Sequence, residues 1–349
     1  ALIAYASAYL KAHHPTAFYV ALLNAWPMGF YHPSTLIQDA KRHGVEVLPI
    51  DVTVSDWRCT WEARPGTGAP QARSQTSQTS TDASGPPDAA RAYLIDRRTR
   101  DARRRRESSS SRPPRAKGAV RLGLRYVRGL RREVAEGLVR ERARRPFTDL
   151  DDLGLRCQVD DAQLKRLAFA GAFAGLGLRR REALWQAARV GRDAGPLFAG
   201  DRGDSGSSPL RDMAPLEQTV ADFQATGLTP GHHPMAYARR KLRQQGVVTC
   251  AELEQMAQNQ IVRFAGSVIV RQRPGTAKGM LFVTLEDETG MAQAIFDPKL
   301  LAESRDVISG AAGLVIEGQL QRRDGSMGIK AHRCWPITRL QRTPSHDWH

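Results

Sequence analysis

Residues 63 to 117 constrain the fold most, because they cannot take part in a packed core. Gly, Pro, Ser, Thr and Gln dominate there, as in Ser74-Gln75-Thr76-Ser77-Gln78-Thr79-Ser80, and Arg103 to Arg106 and Ser108 to Ser111 follow. Such a chain buries too little apolar surface to offset the entropy lost on ordering. The apolar island Tyr93-Leu94-Ile95 is too short to change this. A disordered basic insertion or linker is predicted, and folded structure has to come from residues 1–62 and from 118 onward.

The flanking sequence is adequate for that. The chain has 349 residues, which suggests two or three domains, and 41% of them are apolar. Its net charge of +16 is concentrated: Arg91 to Arg145 hold twenty Lys or Arg against six Asp or Glu. A local excess of that size favours a polyanionic partner, although a solvated Arg-rich linker would also tolerate it.

Several classes are excluded. Cys59, Cys157, Cys250 and Cys334 lie far apart with no zinc-type spacing, which argues against a disulfide scaffold or a zinc finger and suits a cytoplasmic protein. No apolar run is long enough to span a membrane. GxxxxGK[ST] and HxxxH patterns are absent. His13-His14 and His232-His233 are each followed by Pro and make poor metal sites, so no metal and no cofactor is expected in this chain. Asp51 and Asp56 near Glu46, and the run Glu286-Asp287-Glu288, read as solvated acids in turns. Ala1 to Leu10 superficially resemble a signal segment but lack a basic start; they read as the middle of a helix, the expectation being a C-terminal piece of something larger.

The periodicity divides the rest. Helical patterns cover residues 2 to 24 with a break near Pro15, Thr35 to His43 closed by Gly44, Arg132 to Arg144, Thr148 to Leu153, Asp160 to Ala170, Arg180 to Arg189, 216 to 226 and 233 to 245. Short strands are predicted at Val45 to Pro49 and Val120 to Leu124. From Ile261 the period becomes two. Strands are expected at Ile261 to Val270, Met280 to Asp287, Met291 to Phe296, Gly313 to Arg322 and Met327 to His332, with a helical insert near Pro298 to Glu303. Gly266 is expected to mark a bulge or tight bend. Five strands with one short helix match an OB-fold barrel, and an SH3-like barrel shares the pattern.

Two segments read as helix-hairpin-helix units. In Gly123-Leu124-Arg125-Tyr126-Val127-Arg128-Gly129-Leu130 small residues let backbone N–H groups approach phosphate oxygens, and Arg125, Arg128, Arg131 and Arg132 add charge. The second unit runs from Leu164 to Leu176, with Gly171 ending a helix, Phe173 packing back, and Lys165 and Arg166 pointing away. In the barrel, Arg271, Arg273 and Lys278 are placed on the loop joining the first two strands, and Phe282 is assigned to the core.

Further runs carry a family resemblance. Tyr5 to Pro15 resembles the end of the fingers region in bacterial C-family replicative polymerases. Ala21-Leu22-Leu23-Asn24, Pro27 to Tyr31, Asp39 to Val47, and Asp51 with Ser55-Asp56-Trp57 are closer still to the error-prone, DnaE-type branch. Arg121 to Leu124 with Val127 to Leu130 is similar to the start of that branch's tandem helix-hairpin-helix region. Arg271 to Gly279 followed by Thr284 to Gly290 resembles its OB domain, and Ser345 to His349 its C-terminus. The resemblance covers nearly everything outside residues 63 to 117.

It implies a multidomain α+β chain: 1–62, end of the polymerase fingers; 63–117, the disordered insertion; 118–200, tandem helix-hairpin-helix region; 201–258, helical connector; 259–340, OB-fold barrel; 341–349, tail. It implies the DNA-binding portion of a damage-inducible translesion polymerase acting on primer-template DNA, beside accessory mutagenesis proteins and the sliding clamp. In the family the catalytic aspartates lie in a palm ahead of the fingers, with Mg2+ expected for the intact enzyme, so this chain alone is not expected to polymerise DNA. Lys11, His14 and Arg42 carry over as nucleotide or template contacts. Gln218, Val220 and Phe223 are the nearest approach to a clamp-binding pattern, with the wrong spacing. Two other readings compete: a stand-alone DNA-binding or scaffold module for repair factors, and an accessory domain of a nuclease or helicase, which would need an acidic or ATP site. An exposed apolar first helix would count against a stand-alone module.

Overall fold

The computed structural model describes residues 2–27, 32–63, 118–190, 210–323, 326–337 and 346–348. The predicted insertion, the Met28 to Tyr31 connector, the Asp324-Gly325 turn and most of the tail lie outside the described residues.

Two helices, α1 (Leu2–His13) and α2 (Pro15–Asn24), meet at Pro15, whose fixed φ suits a first helical turn. The α1 side chains are largely exposed, Leu2 at 81% and Ile3 at 84%. His32 caps α3 (Pro33–Arg42) by accepting the Ser34 N–H. A three-stranded sheet follows, from β1 (Glu46–Leu48), β2 (Thr60–Ala63) and β3 (Gly118–Arg121), with β3 in the middle, parallel to β1 and antiparallel to β2. Ala63 and Gly118 are register partners, so the long insertion leaves and re-enters the fold at one point. Closing a loop costs only slowly more as it lengthens, which is why so long an insertion is compatible with this sheet. Sequence periodicity missed β2, because Thr60–Ala63 is half-exposed and too short to show alternation.

Behind the sheet lie α4 (Arg132–Arg144), α5 (Leu150–Cys157), α6 (Asp161–Phe169) and α7 (Arg180–Val190). Asp149 caps α5 by accepting the Asp152 N–H, and Asp160 caps α6 by accepting the Gln163 N–H. A single core joins these helices to α2, α3 and the sheet through Tyr19, Ile37, Val120, Leu124, Leu138, Leu153, Leu164 and Phe173. After α8 (Pro215–Thr226) and α9 (Pro234–Gln244), the short β4 (Val247–Val248) and α10 (Cys250–Gln255) lead into the barrel.

The barrel consists of β5 (Ile261–Gln272), β6 (Leu281–Glu286), β7 (Met291–Phe296), β8 (Gly313–Arg323) and β9 (Ser326–Pro336), with α11 (Pro298–Glu303) and α12 (Arg305–Gly310) before β8. Neighbours run β5-β6-β7-β9-β8, and β5 pairs again with β8, which closes the ring. This is the expected small five-stranded OB-type barrel after a helical region. Closure depends on β5 changing partner: Ile261 to Ser267 pair with β8, and Ser267 to Gln272 with β6. The register shift falls between Val268 and Val270, so the bulge lies beyond Gly266. Two strands outside the ring were not anticipated: β4 and β10 (His346–Trp348) each pair with β5 in parallel. The Phe282 assignment is corrected. Leu281, Val283 and Leu285 fill the barrel with Phe264 and Phe296, so the alternation of β6 turns Phe282 to the other face, opposite Ile295.

Two glycines with opposite environments allow a test. A Cβ on Gly123 would stand 2.4 Å from the Arg58 carbonyl carbon, whereas one on Gly137, inside α4, meets nothing closer than 3.9 Å. Denaturant unfolding is expected to show Gly123→Ala losing about 2 kcal/mol or more through overpacking against backbone. Gly137→Ala is expected to gain up to about 1 kcal/mol from helix propensity.

Candidate nucleic-acid interface

The first hairpin is built by the 3-10 turn Leu124–Tyr126, the turn from Val127 to Leu130, and α4. Val127 and Leu130 are buried and pin the turn to the core, while Arg128 and Gly129 between them are exposed. Gly129 has φ of 71°, a conformation that a side chain disfavours, and a Cβ there would collide with the Arg166 guanidinium. Among the described residues the Gly129 and Arg132 N–H groups donate to no protein acceptor. They stand at the start of α4, whose N-terminal dipole favours an anion.

One buried side chain holds this geometry. Gln163, on α6, donates from Nε2 to the Gly129 carbonyl (3.2 Å) and accepts the Arg131 N–H through Oε1 (2.9 Å). It thus joins the two predicted units, and sequence reasoning missed it. A buried Gln within a helical pattern gives no sequence signal until its partner turn is known.

Around the turn Arg131, Arg132, Lys165 and Arg166 are exposed. Arg131 pairs with Asp160 (2.5 Å), Arg132 with Glu136 (2.7 Å) and Lys165 with Asp161 (2.5 Å), and Arg166 reaches the Arg128 carbonyl (3.3 Å). Exposed pairs of this kind contribute about 0–1 kcal/mol, so exchanging a carboxylate for a phosphate costs little.

Other predicted contacts are engaged by carbonyls or sulfur of the fold itself. Gly123 is buried and donates its N–H to the Cys59 sulfur, so its small size serves packing against residues 57–59. Arg125 donates to the carbonyls of Asn24 (2.9 Å) and Trp26 (2.7 Å), closing the C-terminal end of α2. Arg128 donates its N–H to Ala225 and its guanidinium to Gln224 (3.2 Å) at the end of α8. Arg271 lies within β5, not on the loop; it is only 9% exposed and donates to the carbonyls of Ile308 and Ala311. Arg273 and Lys278 are exposed on the β5–β6 loop as expected.

The second hairpin faces inward. Gly171 has φ of 76° and Phe173 is fully buried, but Arg180 lies against Gly171. Arg180 in turn pairs with Asp222 and donates to the Gln218 carbonyl on α8. This hairpin therefore holds α8. Phe223 of the weak clamp-like pattern is buried in the same region.

The residues carried over as nucleotide contacts separate. His14 is exposed just before α2 and joins no cluster. Lys11 pairs with Asp39 at 2.7 Å, and Tyr19 donates to the same carboxylate at 2.7 Å. Asp39, which the sequence did not single out, is thus a hub. Its carboxyl is desolvated by burial, yet hydrogen bonds from Lys11 and Tyr19 hold it below the usual range. Arg42 turns away from solvent: Nη1 donates to Glu286 of β6 at 2.8 Å, and the two side chains are 16% and 3% exposed. The expectation that Arg42 faces nucleotide or template is corrected by this pairing, which helix periodicity alone does not reveal.

Nearby acids are structural as well, and the expectation that the run from Glu286 is solvated is corrected, because Glu286 and Asp287 are buried. Asp51 accepts from Thr53, Asp56 pairs with Arg142, and Asp287 accepts the N–H groups of Thr289, Gly290 and Cys250. Arg239 binds both Asp287 and Glu288. Burial and the cations Arg42, Lys41 and Arg239 hold the His233 imidazole down to about 3, so it stays neutral and accepts the Met235 N–H at the start of α9. Among the described residues no group of three or more His, Cys, Asp or Glu is placed to hold a metal ion. Nor is any helix there long and apolar enough to cross a membrane.

These elements match known families. Residues 44–183 match the helix-hairpin-helix motif family, and residues 262–337 match the OB-fold nucleic acid binding domain family. The chain is therefore of the class that joins a helix-hairpin-helix region to a nucleic-acid-binding barrel. The error-prone DNA polymerase of Aromatoleum aromaticum is 41% identical over 336 residues, covering 95% of this chain and 27% of that protein. That of Methylococcus capsulatus is 39% identical over 337 residues, covering 97% and 29%. Error-prone DNA polymerase 2 of Rhizobium meliloti is 37% identical over 348 residues, covering 97% and 28%. The chain belongs to the bacterial error-prone, C-family DNA polymerases, and it spans under a third of the length of these relatives.

The Arg42–Glu286 pair yields a pH test. Burial pushes the Glu286 carboxyl up from 4.5 to about 7, while Arg42 pulls it back. The folded state then binds this proton more tightly than the unfolded chain. Its stabilising contribution is full below about pH 4.5 and is lost as pH rises through about 7. Melting temperatures across pH 5 to 8 are expected to fall less steeply in Glu286→Gln than in the parent; parallel curves would remove Glu286 as the source.

Proposed function

We propose that this chain grips duplex DNA through the first hairpin and guides single-stranded template along the barrel, as the DNA-binding part of an error-prone polymerase. The observation that carries the reading is the Gly129 turn: two open N–H groups at a helix start, ringed by Arg131, Arg132, Lys165 and Arg166. Phosphate oxygens fit such N–H groups irrespective of base, which suits a protein that must hold any sequence. Arg273 and Lys278 on the β5–β6 loop occupy a position where OB barrels meet ligands.

In this reading nucleotidyl transfer and its Mg2+ belong to the portion of the relatives outside the shared length. Residues 1–62 serve as the end of the fingers, 118–200 as the hairpin region, 201–258 as connector and 259–340 as the barrel. Accessory mutagenesis proteins and the sliding clamp remain proposed partners by analogy with the family. Lys11 and His14 are the proposed nucleotide or template contacts that stay partly or fully accessible.

Fluorescence anisotropy with a labelled primer-template, titrated with salt, tests the grip. A variant carrying Arg131→Ala, Arg132→Ala, Lys165→Ala and Arg166→Ala is expected to bind at least roughly tenfold more weakly. Its log affinity is expected to depend less on log salt, by about 0.9 for each phosphate that is no longer neutralised. Equal affinity and slope in a variant with unchanged melting temperature would refute the hairpin as the grip.

A further inference from the structure

A groove of ≈ 410 Å³ opens between α9, β4 and the β8–β9 edge of the barrel. Its lining includes Lys241, Leu242, Arg263, Val315, Trp335 and Ile337. The floor belongs to a small separate core, in which Leu242 and Val247 are buried and Val315 and Ile337 pack against them. Trp335 stands opposite Val315 in the β8–β9 register and is 41% exposed, although it lies beside apolar surface that could have covered it. An indole in that position has an apolar body against apolar side chains and a side open to solvent.

The rim carries positive charge. Helix α9, Pro-Met-Ala-Tyr-Ala-Arg-Arg-Lys-Leu-Arg-Gln, has four cations and no acid; Arg239 and Arg243 are held by Asp287, Glu288 and Glu252, and Lys241 is the one that lines the groove. Lys241 is exposed and makes no ion pair among the described residues. Arg263 pairs with Glu317 at 2.5 Å, so the carboxylate beside the groove is already balanced. A neutral apolar segment would leave Lys241 without a counter-ion, whereas a nucleotide supplies both a flat π surface for the indole and a phosphate for the ammonium group. The volume falls within the range of small-molecule pockets and suits one nucleotide.

We infer that this groove is a base-stacking subsite for single-stranded nucleic acid, in which Trp335 stacks on an unpaired base and Lys241 meets its phosphate. The inference rests on the nucleic-acid reading above and adds a second contact point to the barrel. Arg263 lies near the start of β5, and Arg273 just past its end, a separation of at most roughly 34 Å along an extended strand. A strand held at both places would run along the barrel for several nucleotides.

The test uses the full chain and a labelled oligo(dT), beside the labelled primer-template. Trp335→Ala is expected to weaken oligo(dT) binding by roughly fivefold to a hundredfold, the range for one stacked base, and Trp335→Phe to retain most of it. Lys241→Gln is expected to weaken binding severalfold and to flatten its salt dependence. The fourfold hairpin variant is expected to keep oligo(dT) affinity while losing duplex affinity. If Trp335→Ala and Lys241→Gln, with parental melting temperatures, bind oligo(dT) as the parent does, the inference is overturned. If oligo(dT) binding is lost only in the hairpin variant, the groove inference fails while the duplex grip survives. If duplex affinity is unchanged in the hairpin variant but oligo(dT) binding falls with Trp335→Ala, the grip fails and the groove stands.

Discussion

The pairing of Arg42 with Glu286 fixes how the helical body and the barrel meet. Arg42 ends α3 and Glu286 ends β6, far apart in sequence, and both are withdrawn from solvent. Taking two charges out of water is costly, and their attraction repays it only in good geometry, so such a pair adds little net stability. Its effect is on orientation. Separating the partners leaves Glu286 buried without its cation, so that it must take up a proton, and leaves Arg42 without its acceptor, which disfavours other dockings of the barrel. Around it Asp39 collects Lys11, Tyr19 and His43, Lys41 donates to the Gly231 carbonyl, and Arg239 holds the β6–β7 turn. Burial, and after it the cations Arg42, Lys41 and Arg239, keep His233 neutral at the start of α9.

That docking divides the basic residues into two populations. Arg125, Arg128, Arg180 and Arg271 close helix ends or bond buried carbonyls, and Arg42 balances a buried acid. Arg131, Arg132, Lys165, Arg166, Arg273 and Lys278 remain on the surface. Guanidinium groups suit the first task because their planar donors satisfy several carbonyls at once. The second population can meet phosphate because its present partners are exposed and weakly held. The two hairpins divide in the same way: α8 covers the turn at Gly171 through Arg180, and the turn at Gly129 stays open.

Sequence pattern located most elements to within a few residues, because helices here bury one face at a period near 3.6 and the barrel strands alternate. It failed where a segment was short or its burial depended on a partner. Strand β2 is four residues long, and β4 and β10 exist only as additions to the edge of β5. Phe282 was misassigned because alternation fixes that neighbours face opposite ways but not which face is inside. Of the site residues, those in the exposed first turn of α4 and on α6 were legible as surface cations. Gln163 and Asp39 were not, since a buried polar side chain shows its purpose only beside the group that it satisfies.

The sequence by itself determined the class of the chain. Hairpin turns and strand periodicity pointed to hairpin units and a small five-stranded barrel, since these are local properties of spacing, and the resemblance of several runs to error-prone polymerases chose the tandem hairpin region and the OB fold among the barrels that share the pattern. Only the tertiary structure decided which hairpin is open, which arginines stay exposed and where the insertion attaches. Those facts depend on residues distant in sequence, such as Gln163 beneath Gly129, Glu286 opposite Arg42 and Gly118 beside Ala63. The cost of an unpaired buried polar group selects among arrangements that local pattern leaves equivalent.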